Sequence, residues 1–259
     1  MSLQGQLQNW GIFADGEVVD IPTIRGKFLN SKDRFRHFED FNLIAGGTLA
    51  KPWTVTSQTG TVTGGVFVTG ASTVSHGEYK VALATTTEAE MLRFDWYDHL
   101  ALNISKKPIF ECRVKISPDQ AGSDKFLKTD EYIWIGLQGV FATDPATAAT
   151  NVGFRLKGLN TTGDFKIYLE SDDASVDNDN VDSGAVWVAD TYMVLKIDLS
   201  DLSNVIFSKD GLALKPQVFN MSSVTANIAL QPMVVIVKPS IANQNHAATF
   251  DYVDINSER

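Results

Sequence analysis

Acidic side chains concentrate in one short segment of the chain, residues 171–182, which reads Ser-Asp-Asp-Ala-Ser-Val-Asp-Asn-Asp-Asn-Val-Asp. Asp177, Asp179 and Asp182 place carboxylate oxygens at short spacing, and oxygen is the ligand that a hard cation such as Ca²⁺ prefers. The spacing is not that of an EF-hand, because the glycine and the bidentate glutamate of that motif do not follow. We therefore expect an acidic loop between two strands. The sequence leaves open whether this loop binds Ca²⁺ or is only solvated.

Aromatic and acidic side chains adjoin one another in residues 93–99, Arg-Phe-Asp-Trp-Tyr-Asp-His. Trp96, Tyr97 and Asp98 combine flat rings, on which a sugar can stack, with a carboxylate that accepts hydrogen bonds from hydroxyl groups. Strand alternation sends Trp96 to the opposite face from Tyr97, so part of this segment is expected to lie in the core. The segment is a candidate glycan-binding patch, and a purely structural strand end is the alternative.

Catalytic motifs are missing from the sequence. A retaining glycosidase uses two carboxylates about 5 to 5.5 Å apart, whereas the adjacent Asp130 and Glu131 point to opposite faces of a strand. Glu88 and Glu90 have the right parity but lie in Thr-Thr-Thr-Glu-Ala-Glu, which is typical of a turn. Neither Gly-x-Ser-x-Gly nor Gly-x-Gly-x-x-Gly occurs, and the four histidines are not at metal-binding spacings. The sequence therefore predicts a protein that is not an enzyme.

Charge and composition argue against several kinds of partner. The formal net charge is −9 and the basic residues are scattered, so the chain lacks the clustered cations that nucleic-acid phosphates require. No stretch reaches the ~18 apolar residues that span a bilayer, and the first residues show no secretory signal. The single cysteine, Cys112, lies on the apolar face of a strand, so we expect it to be buried. We expect no nucleic-acid or membrane partner, and folding in a reducing cytoplasm.

The elements that must position these side chains are β-strands. Apolar and polar residues alternate strictly in three segments, 110–116, 152–157 and 165–170. Such strands have one apolar and one polar face, as in antiparallel sheets with one side on a core. Two further segments, 133–137 and 233–237, are apolar at every position, so we expect them to lie centrally and to be covered on both faces. The predicted fold is an all-β, antiparallel two-sheet sandwich.

Residues 1–36 differ from the rest of the chain. Asp15-Gly16 is a hairpin signal between two short apolar runs, and a two-stranded hairpin is marginal in water unless it packs on something. Trp10, Ile12 and Phe13 are the predicted contact residues. The hairpin packs either on its own domain or on another subunit. We therefore divide the chain into an N-terminal arm, residues 1–36, and a sandwich domain, residues 37–259.

The order of the strands resembles the concanavalin A-like (laminin G-like) jelly-roll family over residues 38–256. The resemblance is carried by an opening strand at 38–41, the alternating strand 110–116, residues 194–198 leading into a hairpin around Asp210-Gly211, and a terminal strand at 248–255. It implies a jelly-roll fold. Domains of this kind often bind Ca²⁺ in loops, which is why Ca²⁺ is the one cofactor that we consider.

The uncharged, Thr/Ala/Asn-rich character and the N-terminal hairpin also resemble the virion structural proteins of tailed bacteriophages. That resemblance implies a non-enzymatic head decoration, fibre or tail module, made in the host cytoplasm and located in the virion. Its partners would be further copies of itself and capsid or tail proteins. The alternative function is a carbohydrate-binding module, with or without Ca²⁺, and a third is a polysaccharide-degrading glycoside hydrolase.

Overall fold

The computed structural model describes residues 34–41, 52–60, 62–67, 77–84, 88–117, 131–158, 165–224, 228–238 and 246–258. These residues form sixteen strands and two short 3₁₀ turns, at Ile104–Lys106 and Pro145–Thr147. The strands are β1 (Arg34–Glu39), β2 (Thr54–Thr59), β3 (Val62–Phe67), β4 (Tyr79–Leu83), β5 (Glu90–Asp95), β6 (Leu102–Asn103), β7 (Ile109–Ser117), β8 (Tyr132–Gln138), β9 (Asn151–Gly158), β10 (Phe165–Asp172), β11 (Asp177–Val186), β12 (Tyr192–Asp198), β13 (Val205–Lys209), β14 (Leu212–Phe219), β15 (Ala229–Lys238) and β16 (Ala247–Glu258).

The strands assemble into two antiparallel sheets. Sheet A has the order β14-β13-β12-β7-β16-β4-β3, and β1 also pairs with β16; sheet B has the order β11-β10-β9-β8-β15-β5-β2, and β6 also pairs with β15. Neighbours in each sheet are mostly distant in sequence, so the chain crosses repeatedly between the sheets. The predicted all-β, two-sheet sandwich is confirmed. Among the described residues, no helix is long and apolar enough to cross a bilayer.

Alternating side chains from both sheets fill the space between them. In β7, Phe110, Cys112, Val114 and Ile116 are at most 1% exposed, while the residues between them are half-buried. This alternation was expected, and so was the burial of Cys112. Burial raises the pKa of its thiol, and the neighbouring Glu111 carboxylate adds to that shift.

The middle of sheet B is buried on both faces. β8 and β15 are neighbours, and all seven residues of β8 are buried. On the face turned away from sheet A, here called the outer face, four side chains form a second apolar cluster, against which Phe141 of the β8–β9 loop packs: Tyr132, Trp134, Met233 and Val235. The prediction that 133–137 and 233–237 lie centrally under cover is therefore confirmed, and the β8–β9 loop supplies part of that cover.

The predicted boundary between the arm and the sandwich falls inside β1. This strand pairs with β16 along its whole length, and the Arg36 guanidinium donates to both oxygens of Asp254 at 2.9 and 2.8 Å. Residues 34–36 therefore belong to sheet A. Trp10, Ile12 and Phe13, the predicted contact residues of the arm, lie outside the described residues.

Candidate functional site

Five side chains, two of them arginines, lie in a row across the outer face of sheet B, where strand alternation places them. Arg93 on β5 is the register partner of Val235 on β15, which pairs in turn with Trp134 on β8. Trp134 is opposite Arg155 on β9, which is the partner of Tyr168 on β10. Five adjacent strands thus bring together residues that are far apart in the sequence.

Arg155 is the centre of a buried ionic network. Its guanidinium donates to both oxygens of Glu170, at 3.2 Å for the Nη2–Oε2 contact, and to Asp144 Oδ1 at 2.6 Å. The ring of Tyr132 lies 4.1 Å from the guanidinium carbon. Burial opposes the charge on Arg155, but attraction to Glu170 and the hydrogen bonds to both carboxylates raise its pKa. Burial raises the pKa of the Glu170 carboxyl, and Arg155 opposes that shift.

Two glycines give Trp134 room to lie along the sheet. A Cβ atom on Gly153 would lie 2.3 Å from Cζ2 of Trp134, and one on Gly136 would lie 2.9 Å from Cη2. In this position the indole Nε1 donates to Glu170 Oε2 at 2.9 Å. The close approach of the ring therefore explains glycine at 153. At 136 a Cβ would first meet the backbone of β9, 2.2 Å from the Val152 carbonyl oxygen.

An acidic pair that was not predicted from the sequence lies in register on β10. Glu170 and Asp172 are separated by one residue and face outward, opposite Gly153 and Asn151 of β9. They were missed because the acidic residues after Glu170 indicated a loop. Glu170 is fully buried and bonded through both oxygens, whereas Asp172 is half-buried and accepts from the amide of Ala174 at 2.6 Å.

Glu131 and Glu90, which were also considered from the sequence, each lie beside a buried basic side chain. Glu131 is fully buried and lies 2.8 Å from His246 Nε2. Glu90 begins β5 and lies 3.2 Å from the Lys238 ammonium, with both side chains fully buried. The interpretation of the segment around Glu90 as a turn was wrong at that residue, because β5 already pairs with β15 there.

Tyr97 and Asp98 form a tight turn at the end of β5, beside the β8–β9 loop. Their φ angles are 53° and 58°, and the amide of His99 donates to the carbonyl of Trp96 at 3.0 Å. Positive φ at both central residues is the pattern of a type I′ turn, which favours Gly, Asn and Asp. A tyrosine at such a position is a genuine outlier, costing about 1 to 2 kcal/mol.

Buried polar groups hold this strained turn in place. The Tyr97 amide donates to Asp95 Oδ1 at 2.9 Å, and the Asp98 amide donates to Gln231 Oε1 at 3.0 Å. Gln231 Nε2 donates in return to Asp98 Oδ1 at 2.8 Å. Asp95 and Gln231 are fully buried. Burial raises the pKa of Asp95, against the lowering effect of the Tyr97 amide and of Arg93.

The turn displays an aromatic and polar surface. Tyr97 is 61% exposed, and the Asp98 side chain is 41% exposed. The Arg93 guanidinium lies 5.4 Å from the ring centre of Tyr97 and 4.7 Å from that of Phe141. The Phe141 amide donates to Asp98 Oδ1 at 3.3 Å, which ties the β8–β9 loop to the turn. We call Arg93, Tyr97, Asp98 and Phe141 the Tyr97 site.

Of the three predicted glycan-binding residues, Trp96 does not belong to this surface. Its ring is 2% exposed and lies edge-on to Trp53, at a centroid distance of 5.8 Å. The assignment of Trp96 as a stacking residue was wrong, because strand alternation continues for one residue past β5 and directs the ring into the core. Tyr97 and Asp98 do lie together on the surface, as expected.

The predicted acidic loop at residues 171–182 is largely strand. β10 continues to Asp172, and the turn 173–176 is held by Asp173, whose Oδ1 accepts from the amides of Ser175 at 3.0 Å and Val176 at 2.6 Å. Asp177, Asp179 and Asp182 are exposed on β11, the edge strand of sheet B. The loop prediction was wrong because an edge strand has little burial to impose an apolar pattern.

The three aspartates proposed as Ca²⁺ ligands do not converge on one point. Asp182 accepts from Lys166 Nζ at 2.6 Å and from the Gly184 amide at 2.9 Å, and these hydrogen bonds lower its pKa. Asp177 is the register partner of Asp172. Burial raises the pKa of Asp179, and repulsion from Asp177 adds to the shift. Within the described part of the chain, no three His, Cys, Asp or Glu side chains form a group that could hold a metal ion.

Solved structures with this fold include proteins that bind or cleave carbohydrates. The carbohydrate recognition domain of Emp47p superposes with a TM-score of 0.54 at 9% identity, covering 88% of this chain and 98% of that one. A family 16 endo-glucanase from Bacteroides ovatus gives 0.54 at 11% identity, covering 85% and 99%. A protein of unknown function from Shewanella oneidensis MR-1 gives 0.51 at 12% identity, covering 87% of each chain. No protein-family model and no curated protein sequence matches the chain.

These similarities establish the fold. The chain is a two-sheet jelly-roll sandwich of the kind found in lectin domains and family 16 glycoside hydrolases. The predicted resemblance to the concanavalin A-like fold is confirmed. At such identities the likeness concerns the fold alone.

Proposed function

We propose that this protein is a non-catalytic carbohydrate-binding domain, and that the Tyr97 site holds the sugar. The observation that carries this proposal is the strained turn that presents an exposed tyrosine. Residues persist in disfavoured backbone conformations when their surroundings impose them, and such residues cluster at functional sites. Here Asp95 and Gln231 impose the conformation, and the side chain that results is 61% exposed rather than packed.

The chemistry of the Tyr97 site suits a pyranose ring. The rings of Tyr97 and Phe141 offer apolar surfaces to the C–H faces of a sugar, and the Tyr97 hydroxyl can donate or accept. Asp98 offers a carboxylate oxygen to sugar hydroxyls, and the buried Arg93, ion-paired with Asp95 at 2.7 Å, packs against both rings. A few convergent polar groups beside aromatic surfaces are the common composition of small-ligand sites.

The fold supports the same ligand class by analogy. One neighbour is a carbohydrate recognition domain and another is a family 16 endo-glucanase. Analogy of fold raises the expectation of glycan binding without identifying the sugar.

The state of Glu170 supports the proposal that the domain has no catalytic role. A general acid must reach the glycosidic oxygen of its substrate, but Glu170 is fully buried and bonded to Arg155 and Trp134. Glu170 and Asp172 would therefore act as structural residues. Hydrolysis of a bound glucan would contradict this part of the proposal.

Assembly into a phage particle, the first expectation from the sequence, remains a prediction. It depends on Trp10, Ile12 and Phe13, outside the described residues. At one edge of each sheet, β11 and β14 carry register shifts, and Pro216 lies within the shift of β14. Bulges, proline and charge on an edge oppose pairing with another chain. For these reasons we place glycan binding ahead of assembly.

The test is binding of the full chain to an array of glucose, mannose and galactose oligosaccharides, followed by calorimetry with the tightest ligand. Tyr97→Ala is expected to weaken binding by about tenfold or more, equal to about 1.4 kcal/mol. Val218→Ala, at a side chain that is 66% exposed on β14, is the matched control and should bind as the unmodified protein does. Absence of binding to any oligosaccharide, or an unchanged affinity for Tyr97→Ala, would overturn the proposal.

A further inference from the structure

A pocket of about 300 Å³ opens on the outer face of sheet A, on the opposite side of the sandwich from the Tyr97 site. Its lining comprises Phe38, Asp40, Arg113, Asp251 and Tyr252. These residues come from β1 and the residue that follows it, from β7 and from β16. We call them the Phe38 pocket.

A β-bulge in β16 builds this pocket. Phe250 pairs with Val114 and Tyr252 pairs with Arg113, so Asp251 is an extra residue opposite β7. A bulge re-aims side chains that regular alternation would send to opposite faces, and bulges are common next to binding sites. Here Asp251 reaches Arg113, an outward-facing residue of β7, and Tyr252 lies beside them on the same face.

The aromatic rings of the pocket are accessible. Phe38 is 43% exposed, and its ring lies nearly parallel to that of Tyr252, with 5.9 Å between the ring centres and 28° between the planes. The Tyr252 hydroxyl donates to Glu111 Oε1 at 2.7 Å, which fixes its ring. Arg36 lies 5.6 Å from the centre of the Phe38 ring. The two rings form a supported apolar surface.

A hydrogen-bond donor and an acceptor lie side by side in the pocket. Arg113 donates to Asp251, and their side chains remain 41% and 20% exposed. The guanidinium has further donors and the carboxylate further acceptor sites. Adjacent hydroxyls of a sugar each donate and accept, so a neighbouring guanidinium and carboxylate complement such a pair. Carboxylates at both Asp40 and Asp251 disfavour an anionic ligand.

From this arrangement we infer a second carbohydrate site, in which a neutral pyranose ring stacks on Phe38 and Tyr252 while adjacent hydroxyls bond to Arg113 and Asp251. This inference rests on the proposed glycan-binding function. Two sites on opposite faces make the chain bivalent, so one domain can bridge two glycan strands or hold one long strand with higher avidity.

Backbone amide shifts of the isotopically labelled full chain can locate both sites separately. The probes are the tetrasaccharides of glucose, mannose and galactose. With the sugar that binds, we expect shifts around Tyr97 and around Phe38 and Tyr252. Phe38→Ala should remove the second set only, and Asp251→Asn, which keeps the side-chain shape, should weaken binding there by about tenfold. Leu212→Ala, at a side chain that is 74% exposed on β14 of the same sheet, is the control and should change neither set.

The outcomes separate this inference from the proposed function. Shifts confined to the neighbourhood of Tyr97 would overturn the second site and leave the first standing. Shifts confined to the Phe38 pocket would uphold the second site and overturn the assignment of Tyr97. No shifts with any of the sugars would overturn both. Unchanged affinity at the pocket in Asp251→Asn would overturn the assigned role of that carboxylate.

Discussion

Replacing Tyr97 separates backbone strain from the chemistry of its side chain. Both Tyr97→Ala and Tyr97→Gly remove the ring, so each is expected to lose glycan binding at this site. They differ in the backbone, because φ is 53° at this position and only glycine adopts such an angle without strain. We therefore expect Tyr97→Gly to be the more stable of the two variants.

The structure gives the size of this difference. A residue with a Cβ in the left-handed region costs about 1 to 2 kcal/mol, which glycine avoids. Glycine loses about 0.5 to 1 kcal/mol through the greater freedom of the unfolded chain. At the midpoints of these two ranges, the net advantage of Tyr97→Gly over Tyr97→Ala is about 0.75 kcal/mol. Both variants also lose the contact between the ring and Arg93, at 5.4 Å, worth about 0.5 to 1 kcal/mol at an exposed site.

Urea denaturation measures the difference, since the free energy of unfolding extrapolates linearly to water. Val218 on β14 is the matched control: it is 66% exposed and does not have positive φ, so Val218→Gly should be less stable than Val218→Ala there. Strain at residue 97 therefore predicts that glycine is the more stable replacement there, whereas alanine is the more stable replacement at residue 218. If Tyr97→Ala proved as stable as Tyr97→Gly, or more so, the turn would not be strained as described.

Three further predictions concern the packing and the buried charges of the sandwich. Gly153→Ala would place a Cβ 2.3 Å from the indole and should cost about 1 to 3 kcal/mol of unfolding free energy in urea; the control Gly139→Ala, with its nearest neighbour at 3.7 Å, should cost nothing. Arg155→Met leaves the buried Glu170 charge unpaired and should cost about 3 to 5 kcal/mol, of which the added change Glu170→Gln should restore a part; equal stability of the single and double variants would contradict the network. Burial raises the pKa of Tyr79 to about 12, so its proton is held more tightly in the folded state than in the unfolded one. The corresponding stability is present below pH ~10 and is lost as pH rises through 12. Burial raises the pKa of Tyr132 to about 12 as well, so Tyr79→Phe should reduce the slope of stability against pH over that range without abolishing it, and an unchanged slope would contradict the reasoning.

Much of the fold could be read from local patterns. Alternation over residues 110–116 gave β7 and the burial of Cys112, because a strand that separates core from water must alternate. The apolar runs 133–137 and 233–237 indicated central strands with both faces covered, and β8 and β15 lie side by side under such cover. These predictions succeeded because a buried strand face requires apolar residues, so that burial can be read from residue type.

In the acidic segment, residues 171–182, residue type did not indicate the secondary structure. Asp177 and its neighbours lie on an edge strand with little burial, so composition indicated a loop where the structure has β11. The same error placed the end of the preceding strand at Glu170 and concealed the outward pair of Glu170 and Asp172. A solvated strand and a solvated loop select similar residues, and the pairing partner that distinguishes them is elsewhere in the chain.

By itself, the sequence determined which residues face a core and that two antiparallel sheets enclose it, since those features depend on the period of a strand. The residue types of Tyr97 and Asp98 also made them candidate glycan-binding residues. Only the tertiary structure decided the contacts at the two sites: at the Tyr97 site Asp98 is bonded to Gln231, which is 133 positions away, and in the Phe38 pocket Arg113 is bonded to Asp251, which is 138 positions away. Such contacts are set by strand order and register across whole sheets, and a one-residue bulge is enough to change them.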